Sequence, residues 1–116
     1  MNMLIGTDIE QISRIEQAIA RRPGFLTRVF TAAERDYCAR RKWPAQHYAA
    51  RFCAKEAVAK ALGEALYWQD VEVVQNSRGM PGIRLSGMAA RIVGGRQIRL
   101  SLSHSGDFAL ATVLVE

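Results

Sequence analysis

The stretch that organises this chain runs from Pro44 to Gly63 and reads PAQHYAARFCAKEAVAKALG. Pro44 interrupts the chain before the stretch and Gly63 is typical of a residue that ends a helix, so the pattern predicts one long helix from Ala45 to Leu62. The helix is rich in alanine, which favours helical structure and lets another element approach the backbone closely. We therefore expect this helix to be the centre of the fold.

A charged stripe runs along this helix. Phe52, Glu56 and Lys60 lie four residues apart on one side. Arg51 and Lys55 lie on the adjacent side, so the spacing predicts a carboxylate flanked by three cations. The simplest alternative is an ordinary intrahelical ion pair between Glu56 and Lys60, which stabilises a helix by only about 0.3–0.5 kcal/mol.

The amino-terminal segment predicts a strand followed by an amphipathic helix. The apolar run from Met3 to Ile9 indicates a strand with Asp8 at its end. From Glu10 onward, isoleucines recur at helical spacing until a Pro-Gly pair stops the pattern. The polar side of this helix is basic and carries Arg14, Arg21 and Arg22.

The middle of the chain predicts a short helix and a hairpin. Thr31 and Glu34 have the spacing of a capping box, which predicts a second helix ending near Arg41. Strands near 71–75 and 82–85, separated by turn residues, form the predicted hairpin.

The carboxyl-terminal segment adds another helix and two strands. Ser86 is placed to cap a helix ending near Val93, and residues 97–103 alternate between apolar and polar like a strand. Residues 108–115 are almost continuously apolar, which is typical of a strand buried on both faces, inside the domain or at a subunit contact. The order predicts one α+β domain over residues 1–116, with a small antiparallel sheet packed against a long central helix and shorter helices.

Composition limits the classes of protein to consider. The chain has 116 residues, of which 49% are hydrophobic and 23% charged, so we expect one ordinary globular domain rather than a multidomain machine or a disordered chain. No apolar run approaches the roughly 20 residues of a membrane helix, and Asp8 comes too early for a signal peptide, so a soluble, cytoplasmic protein is expected. The only cysteines, Cys38 and Cys53, indicate buried thiols rather than disulfides or a zinc site.

The net charge of +5 comes entirely from the first half of the chain. Residues 1–60 hold 11 Lys and Arg against 6 Asp and Glu, whereas residues 61–116 hold 5 of each. This asymmetry favours an anionic partner, which could be a nucleic acid, an acidic protein or a phosphorylated small molecule, although a merely solvated basic face gives the same pattern.

Asp8, Glu56 and Lys60 together suit phosphoryl transfer. Because the chain has only 2 histidines, carboxylates are its natural metal ligands, and Mg²⁺ commonly takes one or two of them with water and phosphate oxygens. Lys60, one turn beyond Glu56, and Arg51 would then bind phosphate groups. His104 ends a strand and is equally well explained as a packed, hydrogen-bonded histidine.

Three blocks of the chain carry a family resemblance. They are GTDIEQISR at 6–14, RFCAKEAVAKALG at 51–63 and LSLSHS at 100–105. In order and spacing they resemble the short bacterial phosphopantetheinyl transferases known as holo-acyl-carrier-protein synthases. Each block alone is weakly specific, but the three together span nearly the whole chain.

The resemblance implies transfer of phosphopantetheine from coenzyme A to a serine hydroxyl of apo acyl carrier protein, with Mg²⁺ required and adenosine 3',5'-bisphosphate released. It implies that Asp8 and Glu56 are the magnesium ligands and that Lys60 stabilises the phosphates and the leaving group. The positions that match contacts to the nucleotide end of coenzyme A, including its ribose phosphate, are Arg51, His104 and Lys42. Whether Glu56 or a metal-bound water deprotonates the serine stays open.

The resemblance also implies an acidic carrier protein as partner, in fatty acid biosynthesis and lipid metabolism or in a specialised pathway. The docking residues that it implies are Arg14, Arg21, Arg22 and, as an apolar anchor, Phe25. From the pattern alone, Phe25 and Phe30 are better interpreted as core residues. The short form of the family resembles a homotrimer with active sites between subunits, which suits a small domain with so apolar a final strand.

Two positions depart from the family pattern. Met80 lies where a lysine is common in the hairpin, so a phosphate-binding lysine is missing, and Glu64 lies in a turn that is often Gly-Ser/Thr-Gly. These departures leave a carrier-binding module without catalysis as one alternative. The basic charge leaves a small nucleic-acid-binding domain as another.

Overall fold

A long helix lies against a three-stranded antiparallel sheet in this protein, of which a computed structural model describes residues 2–116. The elements in chain order are β1 (Leu4–Gln11), α1 (Ile12–Arg21), α2 (Phe25–Val29), α3 (Ala32–Ala39), α4 (Pro44–Leu62), a 3-10 turn (Trp68–Asp70), β2 (Val71–Gln75), β3 (Pro81–Leu85), α5 (Gly87–Val93), β4 (Ile98–Ser105) and β5 (Phe108–Val115). The sheet has the strand order β1-β5-β4, and β2 and β3 form a separate hairpin. None of the helices in this range is long and apolar enough to cross a membrane. The predicted α+β class with a central helix is confirmed.

Strand β1 meets the backbone of α4 directly at Gly6. A Cβ atom on Gly6 would lie 2.1 Å from the carbonyl oxygen of Ala57 and 2.7 Å from the backbone nitrogen of Ala61. Only glycine permits this approach, and the alanines of α4 leave room for it. Because side chains alternate along a strand, Asp8 lies on the same face of β1 as Gly6. The contact therefore brings Asp8 to the carboxyl-terminal half of α4.

A buried ion pair fixes the shorter elements on α4. Lys55 Nζ lies 2.8 Å from Glu34 Oε1, and the two side chains are 1% and 0% exposed. Backbone groups complete the network: Lys55 also donates to the carbonyl oxygens of Trp68 (3.0 Å) and Val71, and Glu34 accepts from the amides of Thr31 (2.9 Å) and Val73 (2.8 Å). Burial lowers the pKa of Lys55, and Glu34 opposes that shift. The pair thus ties α3, β2 and the 3-10 turn to α4.

The predicted helix ends are present. Thr31 Oγ1 accepts from the amide of Glu34 at 3.2 Å, which confirms the capping box. Gly63 ends α4 in the left-handed conformation, with φ at 67°. Ser86 does precede α5, but its hydroxyl donates to Asp70 Oδ1 at 3.3 Å instead of capping the helix.

Strand β1 is longer than the sequence predicted. Its last two residues, Glu10 and Gln11, pair with β5, so the strand does not end at Ile9. Asp8 therefore lies inside the strand rather than at its end. Helix α2 and the 3-10 turn are additional to the predicted elements, because both are too short to produce a periodic pattern.

Strand β5 is central in the sheet, and this chain covers only one of its faces. Alternate residues from Ala109 to Val115 are buried, whereas Phe108 on the opposite face is exposed. Ile5 and Ile9 of β1 are exposed on that same face. The prediction that the strand is buried on both faces inside the domain is therefore wrong. A subunit contact at this face stays a prediction.

Candidate active site

Asp8 and Lys60 form an ion pair where β1 meets α4. Lys60 Nζ lies 3.0 Å from Asp8 Oδ1 and 3.1 Å from the carbonyl oxygen of Thr7. No salt bridge joins Lys60 to Glu56 among residues 2–116. The ordinary intrahelical pair, which was the simplest alternative from the sequence, is therefore wrong, and Lys60 is directed to the carboxylate of a different element.

The second oxygen of Asp8 is buried without a partner. Asp8 is only 8% exposed, and its Oδ2 has no hydrogen bond within the described part of the chain. Buried polar atoms are nearly always partnered, because an unsatisfied one costs free energy. Asp8 Oδ2 is therefore suited to a ligand that brings positive charge.

Glu56 is half-buried and close enough to Asp8 for their charges to repel. Burial raises the pKa of Glu56, Asp8 raises it further, and Lys60 opposes the shift. The hydrogen bond to Asp8 in turn raises the pKa of Lys60. A cation held by both carboxylates would relieve their repulsion.

Glu10 belongs to the same cluster, although the sequence interpretation gave it no role. Burial, the neighbouring Asp8 carboxyl group and the charge of Glu56 raise the pKa of Glu10 to about 8. An ionised Glu10 would add to the repulsion between the Asp8 and Glu56 carboxylates. The missed signal was spacing, because residues two apart on a strand share a face, and the predicted strand ended one residue too early to show it.

The donor set fits Mg²⁺. Across residues 2–116, no three side chains of His, Cys, Asp or Glu form a ready cage for a metal. Mg²⁺ does not need one, since it commonly takes one or two protein carboxylates and fills its other positions with water and phosphate oxygens. Asp8 and Glu56 supply that number, and Asp8 Oδ2 has no partner of its own among residues 2–116. The structure thus brings the two predicted metal ligands together.

A second positively charged site surrounds Arg51. Arg51 and His104, both predicted to contact the nucleotide end of coenzyme A, line one cavity of about 230 Å³ with His47 and Tyr37. Arg51 is only 3% exposed, and in the range 2–116 its Nε has no partner and no carboxylate lies within salt-bridge distance. Burial and the charge of Arg51 lower the pKa of His47. A buried, uncompensated guanidinium makes this cavity suitable for an anion.

The three cations predicted around Glu56 are not gathered there. Arg51 lines the separate cavity, and Lys55 is paired with Glu34. Of these three cations, only Lys60 affects the pKa of Glu56, which it lowers. Lys42, another predicted phosphate contact, is exposed in the bend before α4 and outside the lining described for the cavity. Spacing on one helix could not show this, because the partners come from other elements.

The residues predicted to dock a carrier protein line a single groove. Arg14, Arg21, Arg22 and Phe25 line a groove of about 380 Å³, whose wall also includes Glu10. The arginines are exposed, and none of them forms a salt bridge among the described residues. Phe25 is a core residue as well, 6% exposed, with its ring 6.1 Å from that of Phe30. Through Glu10, this basic groove reaches the Asp8 carboxylate cluster.

Comparisons with known proteins show the family of this chain. The profile of the 4'-phosphopantetheinyl transferase superfamily matches residues 4–113. The holo-[acyl-carrier-protein] synthase of Moorella thermoacetica is 48% identical over 117 residues, which cover 96% of this chain and 91% of the relative. That of Caldanaerobacter subterraneus is 39% identical over 120 residues, which cover 98% and 94%.

Solved structures show the same fold. The ACPS–CoA complex of Chronobacterium ammoniagenes matches with a TM-score of 0.88 and 27% identity, covering 100% of this chain and 98% of that one. The holo-[acyl-carrier-protein] synthase of Helicobacter pylori in complex with coenzyme A matches with a TM-score of 0.85 and 30% identity, covering 97% and 100%. With the site geometry, the family profile and these relatives in agreement, the chain belongs to the 4'-phosphopantetheinyl transferase superfamily.

Proposed function

We propose that this protein transfers 4'-phosphopantetheine from coenzyme A to a serine hydroxyl of apo acyl carrier protein. The observation that carries the proposal is the cluster of Asp8, Glu56 and Lys60, in which a buried carboxylate oxygen has no partner among residues 2–116. The relatives are named holo-[acyl-carrier-protein] synthase, and two of the structural neighbours hold coenzyme A, which supports this donor and acceptor.

The reaction moves one phosphoryl centre from one oxygen to another. The serine oxygen attacks the phosphorus that carries pantetheine, the bond from that phosphorus to the bridging oxygen breaks, and adenosine 3',5'-bisphosphate leaves with the bridging oxygen. Asp8 and Glu56 would hold Mg²⁺, which when bound neutralises charge on the pyrophosphate. Lys60, whose side chain is 55% exposed, can turn from Asp8 to the leaving phosphate. Glu56 and water are the candidate acceptors of the serine proton.

The cavity around Arg51 would hold the nucleotide end of coenzyme A. Its buried guanidinium and the imidazole of His104 suit the ribose 3'-phosphate, which is the other strongly anionic group of that molecule. Lys42, exposed just before α4, would contact the same end from outside the cavity.

The basic groove would dock an acidic carrier protein. The groove carries the positive charges of Arg14, Arg21 and Arg22, and Phe25 forms an apolar part of its wall beside them. Such charges mainly steer encounter and set register. Arg21→Glu is therefore expected to raise the KM for the carrier, to a degree that falls with added salt, and to leave the KM for coenzyme A unchanged. An equal rise in both KM values would argue against this groove as the docking site.

A homotrimer with active sites between subunits is part of the proposal. Asp8 lies on β1 and His104 on β4, with β5 between them. Arg51 and Glu56 are five residues apart and so point about 140° apart around α4. One coenzyme A would have to pass around α4 to reach both sites in one chain, whereas two neighbouring copies could each supply one site. The exposed apolar face of the sheet, with Ile5 and Phe108, offers the contact.

Mixing two inactive variants tests this assembly. Glu56→Gln disables the carboxylate site and Arg51→Ala the cavity, so mixed oligomers should regain part of the activity only if one subunit of each kind completes a site. Light scattering gives the number of subunits. A monomeric protein, or mixtures that stay inactive although the subunits exchange, would contradict shared sites.

The reaction itself is tested by the intact mass of an apo acyl carrier protein after incubation with this protein, coenzyme A and Mg²⁺. We expect the mass of one phosphopantetheine to be added, and neither a chelator-treated sample nor Glu56→Gln to add it. Carrier binding without modification would instead favour a non-catalytic module, and tight, salt-dependent DNA or RNA binding would favour a nucleic-acid-binding domain. The cytoplasmic location, the single domain and the pathway of the carrier stay predictions.

A further inference from the structure

Two guanidinium groups rest on the ring of Tyr37. The Cζ atoms of Arg41 and Arg51 lie 4.1 Å and 4.2 Å from the ring centroid. The hydroxyl group of Tyr37 accepts a hydrogen bond from Gln75 Nε2 at 2.8 Å, so α3 and β2 hold the ring between them. The ring of His47 meets it edge-on, with the centroids 5.9 Å apart. A single aromatic side chain therefore organises this end of the cavity.

Arg51 has little else to hold it. Its one hydrogen bond in the range 2–116 is a long one, 3.4 Å from Nη1 to the carbonyl oxygen of His47, and that range places no carboxylate near it. A buried guanidinium in this state is attracted by the electron-rich face of an aromatic ring, and more strongly when water is excluded. The Tyr37 ring is therefore the main interaction that keeps Arg51 aimed into the cavity.

Arg41 brings a second guanidinium to the same ring from the exposed bend after α3, outside the lining described for the cavity. Its Nε donates to the carbonyl oxygen of Tyr37 at 3.3 Å, and none of the described carboxylates forms a salt bridge with it. Its positive charge, like that of Arg51, lowers the pKa of His47. The lining described for the cavity contains no Asp or Glu. The whole region is cationic, and a doubly charged anion is the ligand that it fits best.

We propose that Tyr37 is a positioning residue that holds Arg51 and Arg41 for the 3'-phosphate of coenzyme A. The inference rests on the proposed function for the identity of the ligand. Tyr37 itself touches none of the reacting atoms, since the Asp8 and Glu56 cluster lies elsewhere in the chain. Its role is to set the affinity for the phosphate that distinguishes coenzyme A from its 3'-dephospho form.

Binding measurements with two nucleotides test the role directly. Calorimetry on the full chain gives the affinities for adenosine 3',5'-bisphosphate and for adenosine 5'-monophosphate, which lacks the 3'-phosphate. Y37L removes the ring and should weaken binding of the bisphosphate by about tenfold. It should leave binding of the monophosphate nearly unchanged, so that discrimination between the two is lost. Y37F keeps the ring and should restore discrimination, and Y37M serves if Y37L does not fold.

The kinetic counterpart compares coenzyme A with 3'-dephospho-coenzyme A. In Y37L the KM should rise for coenzyme A alone, while kcat stays within about twofold for both donors. Equal losses with both nucleotides, a fall in kcat with both donors, or unchanged discrimination would each overturn the positioning role. A wild-type protein that discriminates between the nucleotides but modifies no carrier would overturn the proposed function and leave the role of Tyr37 intact.

Discussion

Helix α4 supplies the lysine of two ion pairs that are similar in length and different in surroundings. Lys55 and Glu34 are 2.8 Å apart and fully buried, and backbone groups satisfy their remaining polar atoms. Lys60 and Asp8 are 3.0 Å apart, but the lysine is largely exposed, and Asp8 Oδ2 has no partner in the described residues. The difference teaches that a completed pair serves the fold, whereas an incomplete pair beside solvent is suited to a ligand.

Glu34→Gln should cause the greatest loss of stability. The variant leaves the buried ammonium group of Lys55 without its counter-charge, and removing one member of a buried pair typically costs about 3–5 kcal/mol. Urea unfolding followed by circular dichroism measures the free energy, with Glu64→Gln at an exposed position as the matched control. A loss of unfolding free energy under about 1 kcal/mol, as expected for a surface ion pair, would contradict the proposed difference between the Lys55–Glu34 and Lys60–Asp8 pairs.

Glu56→Gln should instead reduce activity without reducing stability. Activity should fall by at least about a hundredfold, because a proposed metal ligand and its charge are lost. The free energy of unfolding should stay the same or rise slightly, since the repulsion between Glu56 and Asp8 is relieved. Initial rates and urea unfolding on the same preparation give both quantities. A loss of stability comparable to that of Glu34→Gln would assign Glu56 to the fold instead.

Mg²⁺ should stabilise the wild-type protein through the incomplete pair. At ten times its dissociation constant, a ligand that binds only the folded state adds about 1.4 kcal/mol. Thermal midpoints with Mg²⁺ and with a chelator measure the effect. Asp8→Asn should abolish the shift, while Asp36→Asn on the exposed side of α3 should keep it. A shift that survives Asp8→Asn would place the metal elsewhere.

Asp107 is intermediate between the two ion pairs, because its carboxylate is hydrogen-bonded and yet lies near solvent. Its two oxygens accept from the amide and the hydroxyl of Ser13, at 3.1 Å and 2.6 Å, where α1 begins. The hydrogen bond from the Ser13 hydroxyl is the main cause that lowers the pKa of Asp107 from its ordinary value. Because the pKa of Asp107 is lower in the folded state, its ionised form stabilises the protein at any pH above the pKa of the unfolded state. This contribution is lost as the pH falls through the pKa of the folded state.

The smallest effect is therefore expected for Asp107→Asn, and it should depend on pH. The difference in unfolding free energy from wild type should be constant between about pH 5 and pH 8, then shrink in more acidic solution. Urea midpoints across that range, with the exposed Asp36→Asn as control, measure it. A difference that grows on acidification would contradict the sign of the shift.

Local signals in the sequence were sufficient for the helices that they describe. The capping box of Thr31 and Glu34 and the glycine at 63 act within a few residues, so their spacing predicts them. The same reasoning paired Lys60 with Glu56, the nearest carboxylate on its helix. The structure pairs it with Asp8, 52 residues away, because packing of β1 on α4 decides the geometry.

The predicted site residues came from the resemblance more than from pattern. The charges of Asp8 and Glu56 do interact, because the contact at Gly6 brings β1 onto α4, and spacing does not reveal the role of that glycine. Glu10 was missed because the predicted strand ended at Ile9, two residues before the end of β1. Tyr37 was also missed from the sequence. Its role depends on the stacking of Arg41 and Arg51 on its ring, and these contacts do not form a motif in the sequence.

The direct contact of Gly6 with α4 also has a consequence for motion. Since no side chain separates strand from helix there, no rotamer change can alter their spacing. Asp8 and Glu56 should therefore move together as parts of one rigid body, with small fluctuations in their separation. The arginines of the groove, on the exposed face of α1, have no such restraint. The chain thus combines a rigid proposed reaction centre with a more mobile proposed docking surface.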